Sequence, residues 1–165
     1  MKDIETIYPK DKTELYQVIQ SQLKALLENE TNLIPNLANT SALLNMAMED
    51  INWVGFYIVK NKELLLGPFQ GKPACIHIPI GKGVCGKAVE EGKTQLVIDV
   101  KQFPGHIACD SASKSEIVVP IRYNNRIVAV LDIDSPIFAR FDAIDQVGLE
   151  EVVHILEHGC NWDEI

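Results

Sequence analysis

The chain has 165 residues, of which 47% are hydrophobic, and its formal net charge at pH 7 is −8. This length suits one domain, which we expect to span residues 1–165 and to bury a substantial core. The acidic balance argues against nucleic acid or an anionic membrane as a partner. No secretory signal and no membrane-spanning run is evident, so we expect a cytoplasmic protein with reduced cysteines.

The first part of the chain is predicted to be helical. Apolar residues at helical spacing predict a helix over 12–29, and Asp11 with Glu14 resembles a capping box. A second helix is predicted over about 35–48, with Pro35 in its first turn.

The hydrophobic period then changes from helical spacing to alternation, which indicates β-strands. The chain is predicted to continue with strands at 52–60, 63–71, 74–79 and 94–100, and with a short helix inside 81–93. Next comes a loop over 101–115, whose length is typical of a functional segment.

The last part of the chain is predicted to form a hairpin around Asn124-Asn125 and a final helix over about 142–158. Helices and strands do not alternate as in βαβ units. The pattern therefore predicts an α+β fold, in which a central antiparallel sheet of about six strands carries the N- and C-terminal helices on one face.

Three of the four cysteines are predicted at a strand start, at a helix start or in a loop, outside the apolar centres of strands. These are Cys75, Cys85 and Cys109, whereas Cys160 is interpreted as a packing residue near the end of the last helix. Cys85 is predicted at a helix N-terminus, which favours the thiolate and a lowered pKa. From the residues alone, redox chemistry, metal binding and packing all stay open for these three thiols.

A zinc site would need a fourth ligand, and His77 and His106 are the candidates. Structural zinc prefers closely spaced cysteine pairs, which this chain lacks, so no metal is predicted. His77 is interpreted as a sheet residue. His106 is interpreted as a loop residue that forms hydrogen bonds or assists Cys109.

Acidic residues interrupt an apolar strand face near the hairpin. Val128, Val130, Asp132 and Asp134 are predicted to share that face, where carboxylates are costly unless they are paired, protonated or bound to something. The alternative is that both carboxylates lie near the strand end, within reach of water.

Glu116 adds a third carboxylate at the start of the partner strand. A simple two-residue turn would place it on the face opposite to Asp132. Either Glu116 lies in the preceding loop, or a bulge near Pro120 shifts the register.

Trp53, Gly55 and Tyr57 are predicted to share a strand face. A glycine between two aromatic residues leaves a space with flat apolar walls, which suits a small apolar group. Ordinary core packing is the alternative interpretation.

Four segments carry a resemblance to a known family: NWVGFY (52–57), GPFQGKPACIHIPIGKGVCGKAV (67–89), FPGHIACDSASKSEIVVPI (103–121) and VLDIDSP (130–136). Together they resemble the free methionine-R-sulfoxide reductases, which are small enzymes with a GAF fold. The likeness covers about residues 50–150.

The resemblance implies thiol-dependent reduction of free L-methionine-(R)-sulfoxide to L-methionine. It implies Cys109 as the nucleophile, Cys75 as the resolving thiol and Cys85 as an auxiliary or alternative resolving thiol. The sulfenic acid would condense to a disulfide that thioredoxin or another external dithiol reduces, with no bound cofactor.

The resemblance also implies a substrate site. Glu116, Asp132 and Asp134 would contact the substrate, one protonated carboxyl binding the S=O group and an ionised one holding the α-ammonium. Trp53 and Tyr57 would form the aromatic wall.

GAF domains often form homodimers through helices like 12–29, so a homodimer is expected. The alternative function is a GAF small-molecule sensor without catalysis. Against that alternative, the chain shows no output domain, and its acidic residues would repel a cyclic phosphate.

Overall fold

The computed structural model describes residues 7–107 and 110–165. Its helices are α1 (Lys12–Leu26), α2 (Leu33–Ala47), α3 (Gly83–Glu91) and α4 (Ala143–Gly159). Its strands are β1 (Trp53–Lys60), β2 (Glu63–Gly71), β3 (His77–Pro79), β4 (Gln95–Val97), β5 (Ser115–Tyr123) and β6 (Arg126–Ser135). Within the described ranges, no helix is long and apolar enough to cross a membrane.

Side-chain caps mark the starts of α1 and α4, and a proline lies in the first turn of α2. The Asp11 carboxylate accepts the backbone N–H of Glu14 at 3.0 Å, which caps α1. Asp142 caps α4 in a reciprocal capping box with Asp145. Pro35 lies in the first turn of α2, as predicted.

All six strands pair antiparallel in the order β3-β2-β1-β6-β5-β4. The central hairpin turns at Asn124 and Asn125, whose φ angles of 49° and 62° suit a tight primed turn. The predicted α+β fold and this hairpin are confirmed. The predicted strands 74–79 and 94–100 are too long, because each edge strand pairs with its one neighbour over only three residues.

The sheet separates two apolar clusters. Helices α1, α2 and α4 cover one face, where Leu37, Phe56 and Leu131 are fully buried. The smaller cluster on the opposite face includes Val84 of α3 and Val130 of β6. The N- and C-terminal helices therefore share one face, as predicted, and the second face carries only the short α3 and the loops around it.

A β-bulge decides which side chains reach the α3 face. Ile121 pairs with Ala129 but Arg122 pairs with Ile127, so Val128 is an extra residue in β6. Of the two alternatives left open for Glu116, the bulge near Pro120 is the one that the structure shows. The prediction that Val128 shares a face with Val130 is wrong, because the bulge turns Val128 toward the helix-side cluster.

Candidate active site

A cavity of about 30 Å³ lies on the α3 face, between the sheet, the start of α3 and the loop that precedes β5. A space of this volume holds little more than ordered water. Its lining combines an aromatic wall, a thiol, three carboxyls and polar loop residues: Trp53, Tyr57, Lys72, Cys85, His106, Asp110, Ser113, Glu116, Asp132 and Asp134.

The three predicted carboxyls converge in this cavity. Glu116 of β5 pairs with Asp134 of β6, and Val118 pairs with Asp132. Paired residues of neighbouring strands point to the same face of a sheet, and so do residues two positions apart on one strand. All three carboxyls therefore lie on the same face. Glu116 and Asp132 are buried, with 6% and 5% of their surface exposed.

Loss of contact with water on burial is the largest cause of the shifted pKa values of these three carboxyls. It raises the pKa of Glu116 well above its usual value, and the charge of Asp134 raises it further. Burial raises the pKa of Asp132, followed by the charge of Glu116. Burial likewise raises the pKa of Asp134, followed by the charge of Asp132. The cluster therefore resists full ionisation and retains protons to higher pH than isolated carboxyls do.

One oxygen of the cluster has an unmet hydrogen-bonding capacity. Asp132 Oδ1 is buried and has no hydrogen-bond partner among the described residues. A buried acceptor without a donor is costly, so Oδ1 is available to accept a hydrogen bond from water or from a ligand.

Cys85 is the third residue of α3 and faces the carboxyls. Burial raises the pKa of its thiol well above the usual value, and the charges of Asp132 and Glu116 add to the effect. The lowered pKa predicted from its helix position is wrong, because burial and adjacent carboxylates outweigh the helix N-terminus. Ligand atoms of Cys85, Glu116 and Asp132 lie within 4.8 Å of one another, a set that could hold a metal ion. That no metal is needed stays a prediction.

The other cysteines occupy different environments. Cys75 is disulfide-bonded, so the expectation of reduced cysteines is wrong for this residue, whereas Cys85 and Cys160 carry free thiols. Cys109, the predicted nucleophile, lies outside the described residues. Cys160 packs in the helix-side cluster, where burial raises its pKa to about 11, so its interpretation as a packing residue is confirmed.

Trp53 and Tyr57 form the aromatic wall of the cavity. Their ring centroids are 5.9 Å apart, and Phe69 stacks on Trp53 with a centroid distance of 5.2 Å. A Cβ on Gly55 would come within 2.3 Å of Phe69 Cβ, so the glycine makes room for Phe69. The space predicted at Gly55 is thus filled by packing, while the rings on either side of it line the cavity.

The Tyr57 side chain also positions the Cys75 segment. Its hydroxyl donates a hydrogen bond of 2.9 Å to the backbone carbonyl of Cys75. The strand that carries the aromatic wall therefore also holds the segment with the predicted resolving thiol.

Four polar residues of the site were not singled out by the sequence analysis. Asn52 Nδ2 donates to Asp110 Oδ2 at 3.2 Å and to Ser113 Oγ at 3.1 Å. Lys72 Nζ lies 3.5 Å from Asp110 Oδ1. Asp110 and Ser113 stand in the same short segment as Cys109, and that proximity was the available signal.

The two candidate histidines are separated. His106 lines the cavity, and its Nε2 lies 3.6 Å from Glu116 Oε2. Burial lowers the pKa of His106, which favours its neutral form. His77 is exposed in β3 and pairs with Glu63 at 2.9 Å, so its interpretation as a sheet residue is confirmed.

Comparison with known proteins identifies the family of this chain. The family model for the GAF domain matches residues 40–158. The free methionine-R-sulfoxide reductase of Escherichia coli (strain K12) is 52% identical over 147 residues, which cover 89% of this chain and 89% of that protein. This chain belongs to the free methionine-R-sulfoxide reductases of the GAF-domain family.

Two further members extend the family likeness. The free methionine-R-sulfoxide reductase of Saccharomyces cerevisiae is 42% identical over 158 residues, covering 91% of this chain and 88% of that protein. The X-ray structure of the reductase from Neisseria meningitidis in complex with its substrate is 45% identical, with a TM-score of 0.92. It covers 96% of this chain and 95% of that one. The chain is therefore a GAF-fold enzyme of this reductase family.

Proposed function

We propose that this enzyme reduces free L-methionine-(R)-sulfoxide to L-methionine in the cavity on the α3 face. The observation that carries the proposal is the convergence of Glu116, Asp132 and Asp134 beside the Trp53–Tyr57 wall. An amino-acid sulfoxide offers a cation, a polar S=O group and an apolar methyl group. The cavity offers a matching partner for each of the three.

Substrate binding would use the carboxyls in different protonation states. An ionised carboxylate pairs with the α-ammonium, since opposite charges attract strongly away from water. A protonated carboxyl donates a hydrogen bond to the sulfoxide oxygen. The free Asp132 Oδ1 supports the first role, because it is an acceptor without a donor among the described residues. The aromatic rings contact the methyl and methylene groups.

The chemical step requires a nucleophile and a proton. We propose that the Cys109 thiolate attacks the sulfoxide sulfur and forms an S–S bond, while a protonated carboxyl of Glu116 or Asp134 gives its proton to the oxygen. The hydroxyl then passes to the Cys109 sulfur as the S–O bond of the substrate and the transient S–S bond break, which leaves Cys109 as sulfenic acid. Methionine leaves with its sulfur reduced by two electrons.

Recycling requires a second thiol and an external reductant. We propose that the Cys75 thiolate attacks the Cys109 sulfenic acid, with release of water and formation of a disulfide. Thioredoxin or a similar dithiol then reduces this disulfide and restores both thiols. Cys75 is half-buried and follows Ala74 of the cavity lining, which supports its access to such a donor.

Entry of the substrate would require the loop before β5 to move. The cavity volume of about 30 Å³ is too small for an amino acid, and the loop reaches the rest of the protein through Asn52 and Lys72. A loop that closes over the whole amino acid would also exclude a methionine sulfoxide within a peptide chain.

The test is methionine formation from the R and S epimers of free methionine sulfoxide, assayed separately with a thioredoxin system and with a dithiol. We expect turnover of the R epimer alone, and its loss in Cys109→Ser with retention of sulfoxide binding. No turnover of either epimer with either reductant would contradict the proposal. If the protein then bound methionine sulfoxide without reducing it, and Cys109→Ser bound it equally well, a sensor function would be favoured.

Four predictions accompany this function. Residues 1–165 are proposed to form a single GAF domain, acting in the cytoplasm as a homodimer without a bound cofactor. Light scattering on the purified chain gives the oligomeric state, fractionation gives the compartment, and activity after chelation and dialysis tests the cofactor. Limited proteolysis that leaves one protected fragment of nearly full length would support the single domain.

A further inference from the structure

The C-terminal turns of α4 carry a cluster of side chains that the proposed reaction does not use. His154, Glu157 and His158 occupy positions i, i+3 and i+4 and therefore share one helix face. One ligand atom from each lies within 4.8 Å of the others. The two imidazole ring centroids are 4.3 Å apart.

His158 is held in a tautomer that suits metal binding. Its Nδ1 lies 2.8 Å from the backbone carbonyl oxygen of His154. A carbonyl can only accept, so Nδ1 carries the proton and Nε2 keeps its lone pair. A backbone partner of this kind on the second ring nitrogen is the usual companion of a ligating histidine.

Glu157 is held by the neighbouring strand. Its Oε1 accepts the backbone N–H of Arg122 at 2.7 Å. Its Oε2 lies 3.8 Å from His154 Nδ1. One oxygen thus fixes the carboxylate against β5, while the other faces the His154 imidazole.

We propose that His154, Glu157 and His158 form a surface site for a divalent transition-metal ion of the zinc class. Two imidazoles and one carboxylate match the donors that such ions prefer, and solvent can complete the coordination. The side chain of His154 is 61% exposed, so its ring can rotate toward metal–ligand distances of about 2.0–2.2 Å.

This site is independent of the proposed reaction. Helix α4 packs on the helix-side cluster, whereas the cavity opens on the α3 face of the sheet. Binding at α4 can therefore be tested without substrate. Cys85, Glu116 and Asp132 in the cavity could hold the same ion, so the experiment must distinguish the two positions.

The experiment is a titration of the untagged full chain with Zn²⁺. Calorimetry measures the affinity, and heteronuclear NMR locates the binding site. We expect shifts of the amide signals of residues 154–158 and of Arg122. His154→Ala and His158→Ala should each weaken this binding about tenfold or more. His77→Ala is the matched control. His77 is also exposed and paired with a carboxylate, but among the described residues it belongs to no group that could hold a metal ion.

Glu157→Gln distinguishes a role of the Glu157 carboxylate as metal ligand from its structural contact with Arg122. The amide oxygen can still accept the Arg122 N–H, but the negative charge that attracts the ion is lost. Weaker binding with an unchanged melting temperature supports the site. Zn²⁺-dependent shifts confined to the cavity, or an affinity that neither histidine substitution lowers, would overturn it.

Discussion

Glu116 and Asp134 are directly opposed in the β5–β6 ladder, so two acidic side chains leave the sheet side by side on its α3 face. Like charges at opposed positions destabilise a sheet. Asp132, one pair further along β6, brings a third carboxyl to the same face. A fold that buries three acids together sacrifices stability at neutral pH, and a cationic ligand would relieve that cost.

The stability of the protein should therefore depend on pH with a definite sign. Burial raises the pKa of Glu116, Asp132 and Asp134, so the native state binds more protons than the unfolded chain above about pH 4. The contribution of these carboxyls to the free energy of unfolding must then fall as pH rises, by about 1.4 kcal/mol per pH unit for each extra proton bound. Glu116→Gln should flatten this fall above about pH 4, as measured by denaturant unfolding at a series of pH values.

Glu151→Gln serves as the control for that experiment, since Glu151 is exposed on α4. This substitution also replaces a glutamate carboxyl by an amide, but outside the cavity. The free energy of unfolding of the variant should change with pH as that of the wild type does. Equal slopes for Glu116→Gln and the wild type would mean that Glu116 is ionised in the native state at all these pH values.

Cys75 and Cys85 should differ as resolving thiols. Cys85 is fully buried and the pKa of its thiol is raised, so it supplies little thiolate at neutral pH. Cys75→Ser should stop multiple turnover while one methionine still forms per chain. Cys85→Ser should keep multiple turnover, with a smaller loss in rate. The measurement compares the methionine burst with the steady-state rate in excess thioredoxin.

Cys160→Ser is the control for both variants, because this thiol lies in the helix-side cluster. It should change stability only. If Cys85→Ser, and not Cys75→Ser, confines the enzyme to a single turnover, the assignment of Cys75 as resolving thiol is wrong.

Glu116 illustrates how far the sequence could predict this site. Alternation predicted both strands of the hairpin, and Asn124-Asn125 predicted its turn. The face of Glu116 depends on one extra residue, Val128, and alternation cannot show which residue of a strand is the extra one. The structure supplies that information through the register shift at Ile121 and Arg122.

Cys85 illustrates the opposite case, in which a correct local prediction led to a wrong chemical one. The helix start was predicted, and the rule that helix N-termini favour thiolates is sound. What the local sequence could not show is that Asp132 and Glu116, far along the chain, lie against the thiol. Burial and charge from distant segments then outweigh the local effect.

Asn52 should control the loop before β5. Its amide donates to both Asp110 and Ser113, and these two contacts join the loop to the start of β1. Asn52→Ala should loosen the loop and raise KM for the sulfoxide several-fold, because each lost hydrogen bond contributes about 0.5–1.5 kcal/mol. The fall in kcat should be smaller. Steady-state kinetics with the R epimer measure both.

Asn39→Ala is the control for Asn52→Ala, since Asn39 is exposed in the middle of α2. Its kinetic constants should equal those of the wild type. An Asn52→Ala enzyme with unchanged KM would show that the loop is positioned by other contacts.

Tyr57 should act on recycling more than on reduction. Its hydroxyl donates to the Cys75 carbonyl at 2.9 Å, so Tyr57→Phe keeps the ring in the cavity wall but releases the Cys75 segment. Disulfide formation requires tightly constrained sulfur positions, and a freer segment reaches them less often. Rapid-quench measurements should show a normal first methionine, followed by slower loss of free thiols.

Tyr123→Phe is the control for that substitution, because the Tyr123 hydroxyl donates to exposed Asp163 at 3.1 Å, in a contact outside the cavity lining. It should leave both phases unchanged. If Tyr57→Phe instead slows the first methionine and leaves thiol loss unaltered, the hydroxyl acts on the substrate and Cys75 does not depend on it.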